Sequence, residues 1–430
     1  MTHRRSNLQK IAIIGSGISG LSQAYMLKDD YEITLYEKNK YYGGHARTLE
    51  VIEASKKIAI DTGFIVFNYQ TYPYLVRFFK HLNIPTKKSD MSFGVSIDNG
   101  KFEYGTRTLS GLFADKRHLF HLKFLRMLTD ILKFNSHSKK QLISGAIDSK
   151  LTLEDYIEKL KVSDWFRNYY LLAMGAAIWS TPVKSMSDFP ALTFMRFFNN
   201  HGLLRAFNHI PWYTVAGGSS VYVNKVIDQL KIANVKFNRG VNQVIRNANH
   251  IVIRDDQGEL RYYDKVIFAC HSDEVLKLLD SPTQEEVSYL GSIKYHANEA
   301  VLHSDSSYMP KRKKAWSSWV YLKHQLHNES VMSLSYWMNN LQKLDAEKNY
   351  FVTINPQQRL DPNLVIDRHT FEHPIFNQAA IESQEGIDKI QGINHTFYIG
   401  AYLRYGFHED GILSAVKVTE RLGVKIPWAD

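Results

Sequence analysis

The sequence is poor in cysteine and has no long apolar run. Its 430 residues contain one cysteine, Cys270, which excludes an internal disulfide and a thiolate metal cluster and is typical of a reducing cytoplasm. The longest apolar candidate, residues 171–179, is far shorter than the ~18 residues of a membrane span. The basic start leads into a glycine-containing folded pattern, so we expect no signal peptide. We expect a cytoplasmic protein, and peripheral contact with the inner face of the membrane stays open.

The sequence also lacks the motifs of metal and nucleic-acid sites. It has eighteen histidines, but His118 and His121 have no HExxH or CxxC pattern beside them, so we predict no metal site. The net charge of +10 suits nucleic acid, anionic lipid or an anionic ligand. Because the charge is spread along the chain without a helix-turn-helix, zinc-finger or RNA-binding motif, we expect no nucleic-acid partner.

The first forty residues carry a pattern typical of nucleotide binding. The apolar run 10–14 predicts a strand buried on both faces of a parallel sheet. A GxGxxG loop at residues 15–20 and a helical pattern follow it. A second strand, residues 31–36, ends at Glu37, seventeen residues past the last glycine. Strand, glycine loop, helix, strand and acid in this order predict a dinucleotide site.

Each part of this pattern has a physical role. Gly15 permits the tight turn, Gly17 lets the backbone approach a pyrophosphate, and Gly20 allows close packing of helix and strand. The free N–H groups of the helix N-terminus favour the anion, and Glu37 would accept hydrogen bonds from ribose hydroxyls. We also expect cofactor contacts at Ile18, Ser19 and Lys38.

A second motif follows the acid. Gly43-Gly44-His45-Ala46-Arg47-Thr48 resembles the flavin amine oxidase superfamily, which includes amine oxidases, carotenoid desaturases and flavin-dependent fatty-acid isomerases. The resemblance implies FAD rather than NAD, with Arg47 on the pyrophosphate and the backbone of Gly43 and Gly44 close to the cofactor. His45 stands where many members have Arg or Lys. The segment Asp61-Thr62-Gly63 matches the next motif, which implies that Thr62 and Gly63 lie beside the flavin.

The resemblance reappears in the centre and at the C-terminus. It implies a backbone contact of Val241 with adenine and places Gly400 at the end of a strand beside the flavin. The last motif implies a helix whose N-terminus points at the flavin pyrimidine and stabilises its negative charge on reduction. The cofactor contacts implied there are Asp410, Gly411 and Ile412. Ala401 stands where relatives often place an acid on the ribityl chain.

Catalytic residues are less legible. The family's lysine near flavin N5 aligns near Glu299, and an aromatic position near Phe407 lacks the usual hydroxyl, which weakens an amine substrate. We take Glu299 and His408 as the candidate catalytic residues, His408 because histidine titrates near neutrality. Residues 173–180 and 212–219 resemble a bacterial subgroup of flavoproteins associated with fatty-acid modification.

A basic amphipathic segment covers residues 112–134. Apolar side chains share one helical face, and Lys123, Arg126 and Lys133 lie opposite. Such a helix can lie on an anionic membrane, but apolar stripes more often pack inward, and we expect a core-facing helix. The run 311–314, Lys-Arg-Lys-Lys, is more often a solvated loop.

These observations and the resemblance together predict an α/β fold. A Rossmann-type FAD-binding domain of discontinuous segments would span residues 1–67, 212–271 and 369–430, with an inserted α+β substrate-binding domain at 68–211 and 272–368. FAD would be non-covalent, since Cys270 ends a buried strand and is a structural thiol.

The expected function is that of an FAD-dependent oxidoreductase. It would transfer hydride from a substrate C–H to flavin N5, preferably on a fatty-acyl or other lipid chain, by desaturation or isomerisation. An amine oxidase producing imine and hydrogen peroxide stays open, and so does a non-catalytic flavin-binding interaction protein. The motif at residues 43–48 argues against an NAD-dependent dehydrogenase. The sequence leaves the electron acceptor undefined.

Overall fold

The computed structural model describes residues 8–148, 150–179, 183–205, 210–326 and 329–428. Its strands, numbered along the chain, are β1 (Lys10–Ile14), β2 (Glu32–Tyr36), β3 (Thr48–Glu53), β4 (Lys56–Asp61), β5 (Phe67–Asn68), β6 (Thr86–Ser89), β7 (Phe93–Ile97), β8 (Phe102–Gly105), β9 (Trp212–Val215), β10 (Lys236–Asn238), β11 (Val241–Arg246), β12 (Ile251–Asp255), β13 (Leu260–Tyr263), β14 (Lys265–Phe268), β15 (Lys294–His303), β16 (Trp319–Leu326), β17 (Glu329–Trp337), β18 (Phe351–Ile354), β19 (Val365–Ile375) and β20 (Thr396–Tyr398).

Helices lie between and after these strands. The α-helices are α1 (Ile18–Leu27), α2 (Pro73–His81), α3 (Leu109–Leu112), α4 (Leu122–Ser144), α5 (Leu153–Leu160), α6 (Asp164–Phe166), α7 (Leu172–Trp179), α8 (Val183–Ser187), α9 (Ala191–Asn200), α10 (Ser220–Ile232), α11 (Ser272–Leu278), α12 (Gln284–Ser292), α13 (Met338–Leu341), α14 (Gln378–Lys389) and α15 (His408–Arg421). Across the described residues, none of the helices combines the length and apolarity needed to cross a bilayer.

The five-stranded sheet is parallel and has the order β10-β2-β1-β14-β20. β1 lies at its centre. Ile11 and Ile13 enter one buried cluster, whereas Ala12 and Ile14 enter another on the opposite face. Burial on both faces explains why this strand is continuously apolar instead of alternating. The α/β class and the assembly of this sheet from distant segments of the chain, both expected from the sequence, are confirmed.

The second large sheet has seven strands and the order β19-β15-β18-β17-β16-β7-β8. It is mostly antiparallel, and its apolar side chains share one core with those of α4, α5, α7 and α9. Three small sheets, β3-β4, β5-β9-β6 and β11-β12-β13, complete the strand inventory of the described residues. The mixed sheet with its covering helices has the α+β character expected of a substrate-binding region.

Two elements lie close to the expected domain bounds, which stay a prediction. Leu75 and Phe78 of α2 lie in the same buried cluster as α1, α10 and α15, although residues 68–211 were assigned to the substrate side. β19 runs through residue 369 without a break and stays in the seven-stranded sheet.

A buried carboxylate connects segments that lie far apart in the sequence. Asp61, at the end of β4, accepts hydrogen bonds at Oδ1 from Thr48 Oγ1 (2.6 Å) and from Ser219 N and Oγ (both 2.8 Å). Gln342 donates from Nε2 to Oδ2 at 2.8 Å and accepts from the Asp61 backbone N–H at 2.9 Å. Burial raises the pKa of Asp61 to about 6, so the group is ionised at neutral pH. The carboxylate thus joins β3, the start of α10 and the residue after α13.

This geometry predicts that Asp61→Asn destabilises the protein by about 1–3 kcal/mol, since its amide would present an N–H to the Gln342 donor. The measurement is chemical denaturation at neutral pH. The added change Gln342→Glu supplies an acceptor opposite that amide and should restore part of the loss in a double-mutant cycle. Asp256→Asn, at an exposed position, is the control. Equal stability of Asp61→Asn and the wild type would contradict the assignment.

Candidate functional site

A cavity of about 710 Å³ lies where the two large sheets meet. Its wall includes the residues that follow β1, β2, β14 and β20, at the carboxyl edge of the parallel sheet, and side chains from β7, β16, β17 and β18 of the seven-stranded sheet. Ligands of open α/β sheets bind at the carboxyl ends of the strands. The cavity therefore has the position expected of a cofactor site that continues into a substrate site.

The first glycine loop has no room for side chains at two of its three glycines. Gly15 has φ +108°, and a Cβ there would lie 2.7 Å from the carbonyl oxygen of Ala269. A Cβ at Gly20 would lie 1.8 Å from the carbonyl oxygen of Gly15. At Gly17 a Cβ would meet nothing within 4 Å, and the residue lines the cavity. This loop brings the N-terminus of α1 against β1 and leaves open space in front of it.

Glu37 lies at the cavity edge, as the motif predicts. Its Oε2 accepts from Ser16 N at 3.0 Å and from Ser16 Oγ at 2.5 Å. Its Oε1 accepts from the backbone and side-chain N–H groups of Asn39, both at 2.9 Å. Lys38 also lines the cavity and forms an ion pair with Glu274. These bonds hold an acceptor where a ribose would lie.

The second glycine turn touches the first. A Cβ at Gly44 would lie 3.1 Å from Gly17 Cα, and the Gly43 N–H donates to the Ser16 carbonyl at 3.0 Å. Gly44 and His45 line the cavity. Gly43 has φ +115° and sits behind them, where a Cβ would meet Val223 at 3.0 Å. The pair of turns forms a cradle made of backbone.

Arg47 has a different partner from the expected one. Its guanidinium donates to both carboxylate oxygens of Asp367, at 2.8 and 3.2 Å, and to Thr62 Oγ1 at 3.2 Å. Arg47 is not among the described residues that line the cavity, whereas His45, two positions earlier, is. A contact of Arg47 with the pyrophosphate stays a prediction, and the arginine connects the second motif to β19 in this structure.

The remaining motif residues divide into two groups. Those that line the cavity, as expected, are Ile18, Ser19, Thr62, Gly63, Val241 and Gly400. Those that lie behind its wall are Asp410, Gly411 and Ile412. Asp410 caps its own helix by accepting from the Phe407 N–H at 2.9 Å, and burial raises its pKa to about 6. The C-terminal motif reaches the cavity through Gly406, Phe407 and His408 instead.

The donor set fits an FAD molecule. The free N–H groups of α1 and the two glycine turns suit a pyrophosphate, and Glu37 suits a ribose. Three buried polar atoms of the lining, His271 Nδ1, Trp319 Nε1 and Tyr402 Oη, have no hydrogen-bond partner in the described structure. Cys270 also lines the cavity, and burial raises the pKa of its thiol, which therefore stays protonated. Bound FAD and a substrate together would offer acceptors to these groups.

Several imidazoles gather at the cavity. His45 stacks on Phe371 (ring centroids 4.9 Å apart) and meets His373 at 5.2 Å and His271 at 6.2 Å. Burial lowers the pKa of His45 and His271, and it lowers that of His373 to about 4. These rings are therefore neutral near pH 7. Among the described residues, no group of three or more His, Cys, Asp or Glu side chains has the arrangement of a metal site.

An amide relay fixes the tautomer of His373. The Glu299 N–H donates to Asn355 Oδ1 (2.9 Å), and Asn355 Nδ2 donates to Asn298 Oδ1 (2.7 Å). Asn298 Nδ2 then donates to His373 Nδ1 at 2.9 Å. Because Nδ1 accepts, the neutral ring carries its proton on Nε2. The relay was not visible in the sequence, because its members lie on β15, on β19 and directly after β18, and only the sheet register brings them together.

The two candidate catalytic residues have different surroundings. His408 lines the cavity, stacks on Phe64 at 3.6 Å and shares a hydrogen bond of 3.1 Å between Nε2 and Tyr222 Oη. Burial lowers its pKa to about 3, so it is a weak base at neutral pH, and a role in proton transfer stays untested.

Glu299 does not line the cavity, and its role as a catalytic residue stays a prediction. Its carboxylate accepts from Arg368 at 2.8 Å across β15 and β19, on the solvent-accessible side of the sheet. Strand alternation explains this orientation: the neighbouring residue Asn298 is buried and points to His373.

The cavity is bordered on one side by a parallel sheet that carries a glycine loop and an acid, Glu37, placed to bind a ribose. A second sheet covers the other side. This is the two-part architecture of a flavin-dependent oxidoreductase. Residues 18–303 match the family described as flavin containing amine oxidoreductase. The chain belongs to this family and is a flavin-dependent oxidoreductase. The family binds flavin, as FAD.

Solved structures share the fold over nearly the whole chain. A fatty acid isomerase from P. acnes that produces CLA aligns with a TM-score of 0.69 and 13% identity, over 97% of this chain and 99% of the isomerase. A putrescine oxidase bound to putrescine aligns with a TM-score of 0.66 and 12% identity, over 97% and 99% of the two chains. Cyclohexylamine oxidase from Brevibacterium oxydans gives 0.62 and 13%, over 96% and 99%. None of the curated protein sequences matches the chain.

Gly17→Glu should abolish flavin retention, because a carboxylate would project into the space where the helix N-terminus attracts an anion. We expect about a tenth or less of the wild-type flavin content, measured by absorbance of purified protein. Gly17→Ala is the control: its methyl group meets open space, so its melting temperature without flavin should match that of the wild type. Normal flavin content in Gly17→Glu would refute the placement of the pyrophosphate.

Asn298→Asp should raise the pKa of His373 by about 1–3 units, since a carboxylate would face Nδ1. The wild-type ring should stay neutral down to about pH 4, and that of the variant should titrate closer to neutrality. Nitrogen NMR shifts of the His373 ring measure both protonation and tautomer. Asn363→Asp, at an exposed position, is the matched control. A wild-type ring protonated on Nδ1 would contradict the relay.

Proposed function

We propose that this flavin-dependent oxidoreductase acts on a C–H bond of a fatty-acyl or other lipid chain, by desaturation or isomerisation. The observation that supports the proposal is the wall of the cavity contributed by the seven-stranded sheet and the helices that cover it. This apolar wall consists of Met91, Phe93, Met174, Ile178, Phe197, Leu203, Trp319, Tyr336 and Ile354.

The apolar wall is continuous across neighbouring elements. Phe93 of β7 is in register with Trp319 of β16, which in turn is in register with Tyr336 of β17. The Trp319 and Tyr336 rings meet edge to face at 4.8 Å. Burial of a hydrocarbon chain against such a surface is favourable by about 25 cal/mol per Å². An acyl chain has the chemistry that this wall accepts.

The wall also offers a polar atom to a substrate. The indole Nε1 of Trp319 is buried and has no partner among the described residues. A buried donor left unsatisfied costs about 1–3 kcal/mol. A carbonyl or carboxyl oxygen of an acyl compound would accept from it and so fix the position of the chain. A lipid substrate with one oxygen-bearing end suits this combination.

An amine substrate suits the site less well. None of the described residues of the apolar wall carries a charge, and the glutamates of the lining, Glu37, Glu274 and Glu372, lie outside that wall. His201 also lines the cavity and is kept neutral, because burial lowers its pKa to about 4. Transfer of an ammonium group from water to such a surface is unfavourable without a paired carboxylate. Amine oxidases share the fold, but similarity at 12–13% identity does not extend to the substrate.

Different residues of the chain would bind the cofactor, orient the substrate and donate a hydrogen bond. Bound flavin would supply an electron acceptor for the hydride of a substrate C–H bond. The glycine cradle would hold the cofactor, and the apolar wall would orient the chain and exclude water. The neutral Nε2–H of His373 would be available as a hydrogen-bond donor that does not add charge.

The proposal extends to the partners and the place of action. We propose that FAD is held without a covalent bond, since Cys270 is a protonated thiol. We also propose a cytoplasmic enzyme in peripheral contact with a membrane, where a lipid substrate is found.

The test is anaerobic titration of the flavin-loaded protein with a bacterial lipid extract and, separately, with a panel of amines. We expect the lipid extract to bleach the flavin absorption and the amines to leave it unchanged. Trp319→Phe should raise the lipid concentration at half-bleaching about tenfold, because a hydrogen bond of about 1.4 kcal/mol is lost. Trp316→Phe, outside the cavity lining, should not.

Bleaching by amines alone would overturn the lipid substrate. If neither class bleaches the flavin, chromatography of the recovered acyl chains decides: shifted double bonds support isomerisation. Unchanged chains contradict the proposal and favour a flavin-binding protein without turnover.

A further inference from the structure

Exposed large apolar side chains concentrate in one segment of the chain. Seven of the fifteen among the described residues fall between positions 109 and 143: Leu109, Leu119, Phe120, Leu122, Leu125, Leu132 and Ile143. Phe120 is 86% exposed and Leu122 is 81% exposed, so both side chains are almost fully accessible to solvent. Exposed apolar side chains that cluster in a protein surface are typical of an interaction site.

The apolar residues of α4 follow one helical stripe. Leu125 and Leu132 lie seven residues apart, which places them on the same face two turns from each other. Arg126, Lys133 and Lys140 repeat at the same spacing, one position later, and form a parallel basic stripe. The sequence predicted a core-facing helix. Its inward face is indeed buried through Phe124, Met127 and Phe134, but the outward face is apolar as well as basic.

The acids of this segment are turned inward. Asp115 and Asp130 are its two acidic residues, and both are buried. Asp115 accepts from Arg117 at 2.5 Å and from Arg312 at 2.9 Å, and Asp130 accepts from the Ser163 N–H at 2.8 Å. The charges that the segment presents to solvent are therefore positive.

The fold adds a second basic run to the same place. The 3₁₀ turn Lys313–Ala315 packs on α3, where a Cβ at Gly111 would lie 2.7 Å from the Lys314 carbonyl oxygen. Lys311, Lys313 and Lys314 are exposed and so lie beside the start of α3. We call this combined surface the basic–apolar face. Its members are Leu109, Lys116, Leu119, Phe120, Leu122, Lys123, Leu125, Arg126, Lys311, Lys313 and Lys314.

We propose that the basic–apolar face docks the protein on an anionic lipid bilayer. Surfaces that bind bilayers in the interface plane combine exposed Phe and Leu with Lys and Arg, as this one does. Each basic residue near an anionic membrane contributes about a fivefold gain in partitioning, and the apolar side chains enter the boundary of the acyl chains. As a route to a lipid substrate the inference rests on the proposed function, but the binding itself requires no turnover.

The experiment is sedimentation of the full flavin-loaded chain with vesicles of phosphatidylcholine alone or mixed with phosphatidylglycerol. We expect binding to the mixed vesicles, little binding to phosphatidylcholine, and release at high salt because screening shortens the reach of the charges. The double change Lys313→Glu with Lys314→Glu should lower partitioning at least about 25-fold. Lys417→Glu with Lys425→Glu, also exposed, makes the same change in net charge elsewhere and should bind like the wild type.

Apolar insertion has its own pair of variants. Phe120→Glu with Leu122→Glu should abolish binding, whereas Ile52→Glu with Ile232→Glu, which are 74% and 73% exposed in the native chain, should not. The proposal is overturned if Phe120→Glu with Leu122→Glu still binds the vesicles. It is also overturned if the wild type does not bind anionic vesicles. A wild-type dimer in solution that Phe120→Glu with Leu122→Glu dissociates would assign the face to a second copy instead. Since no substrate is used, an enzyme that oxidises amines would still pass this test if the face binds lipid.

Discussion

The ionised carboxylate of Asp61 is the constraint on which the cavity depends. It is buried and is satisfied by donors from β3, from the start of α10 and from the turn after α13. A buried charge is tolerated only when it is fully hydrogen-bonded, so the three segments must stay in place together. The second glycine turn immediately precedes β3 and touches the first. The position of the nucleotide cradle relative to the seven-stranded sheet therefore depends on this one buried, fully hydrogen-bonded carboxylate.

The cavity that results is polar at one end and apolar at the other. Backbone N–H groups and Glu37 line the first end, where a charged cofactor belongs, and aromatic and aliphatic side chains line the second. The histidines of the lining add no charge to the apolar end, because burial lowers their pKa values and keeps the rings neutral. Their contribution is directional hydrogen bonding, which for His373 is set by Asn298 and Asn355.

Sequence reasoning located the parts of the site that depend on local spacing. The glycine loop and Glu37 could be found because a turn and a strand end fix their positions along the chain, whereas Gly63, Val241 and Gly400 followed from the resemblance to the flavin amine oxidase superfamily. The environments of Arg47 and Glu299 could not, since their partners Asp367 and Arg368 are 320 and 69 residues away. The same holds for the basic–apolar face, which joins segments near residues 115 and 313. The amphipathic periodicity of α4 predicted its inward apolar stripe correctly. Periodicity alone does not show whether a second apolar stripe on the same helix is buried by other elements or exposed to solvent.

The parallel sheet receives its edge strand and its last helix from the end of the chain. Gln23 of α1 donates to Thr419 of α15 at 2.9 Å across a separation of 396 residues, and Gly411 packs against Ile18 and Ser19. At ordinary rates of ribosomal synthesis, about 5–20 residues per second, the glycine loop emerges roughly 20–80 s before this packing partner exists. The nascent N-terminal half thus carries its nucleotide motif without the helix that holds it in shape. A truncation that removes α15 would leave a chain with the motif but without the helix that packs against it.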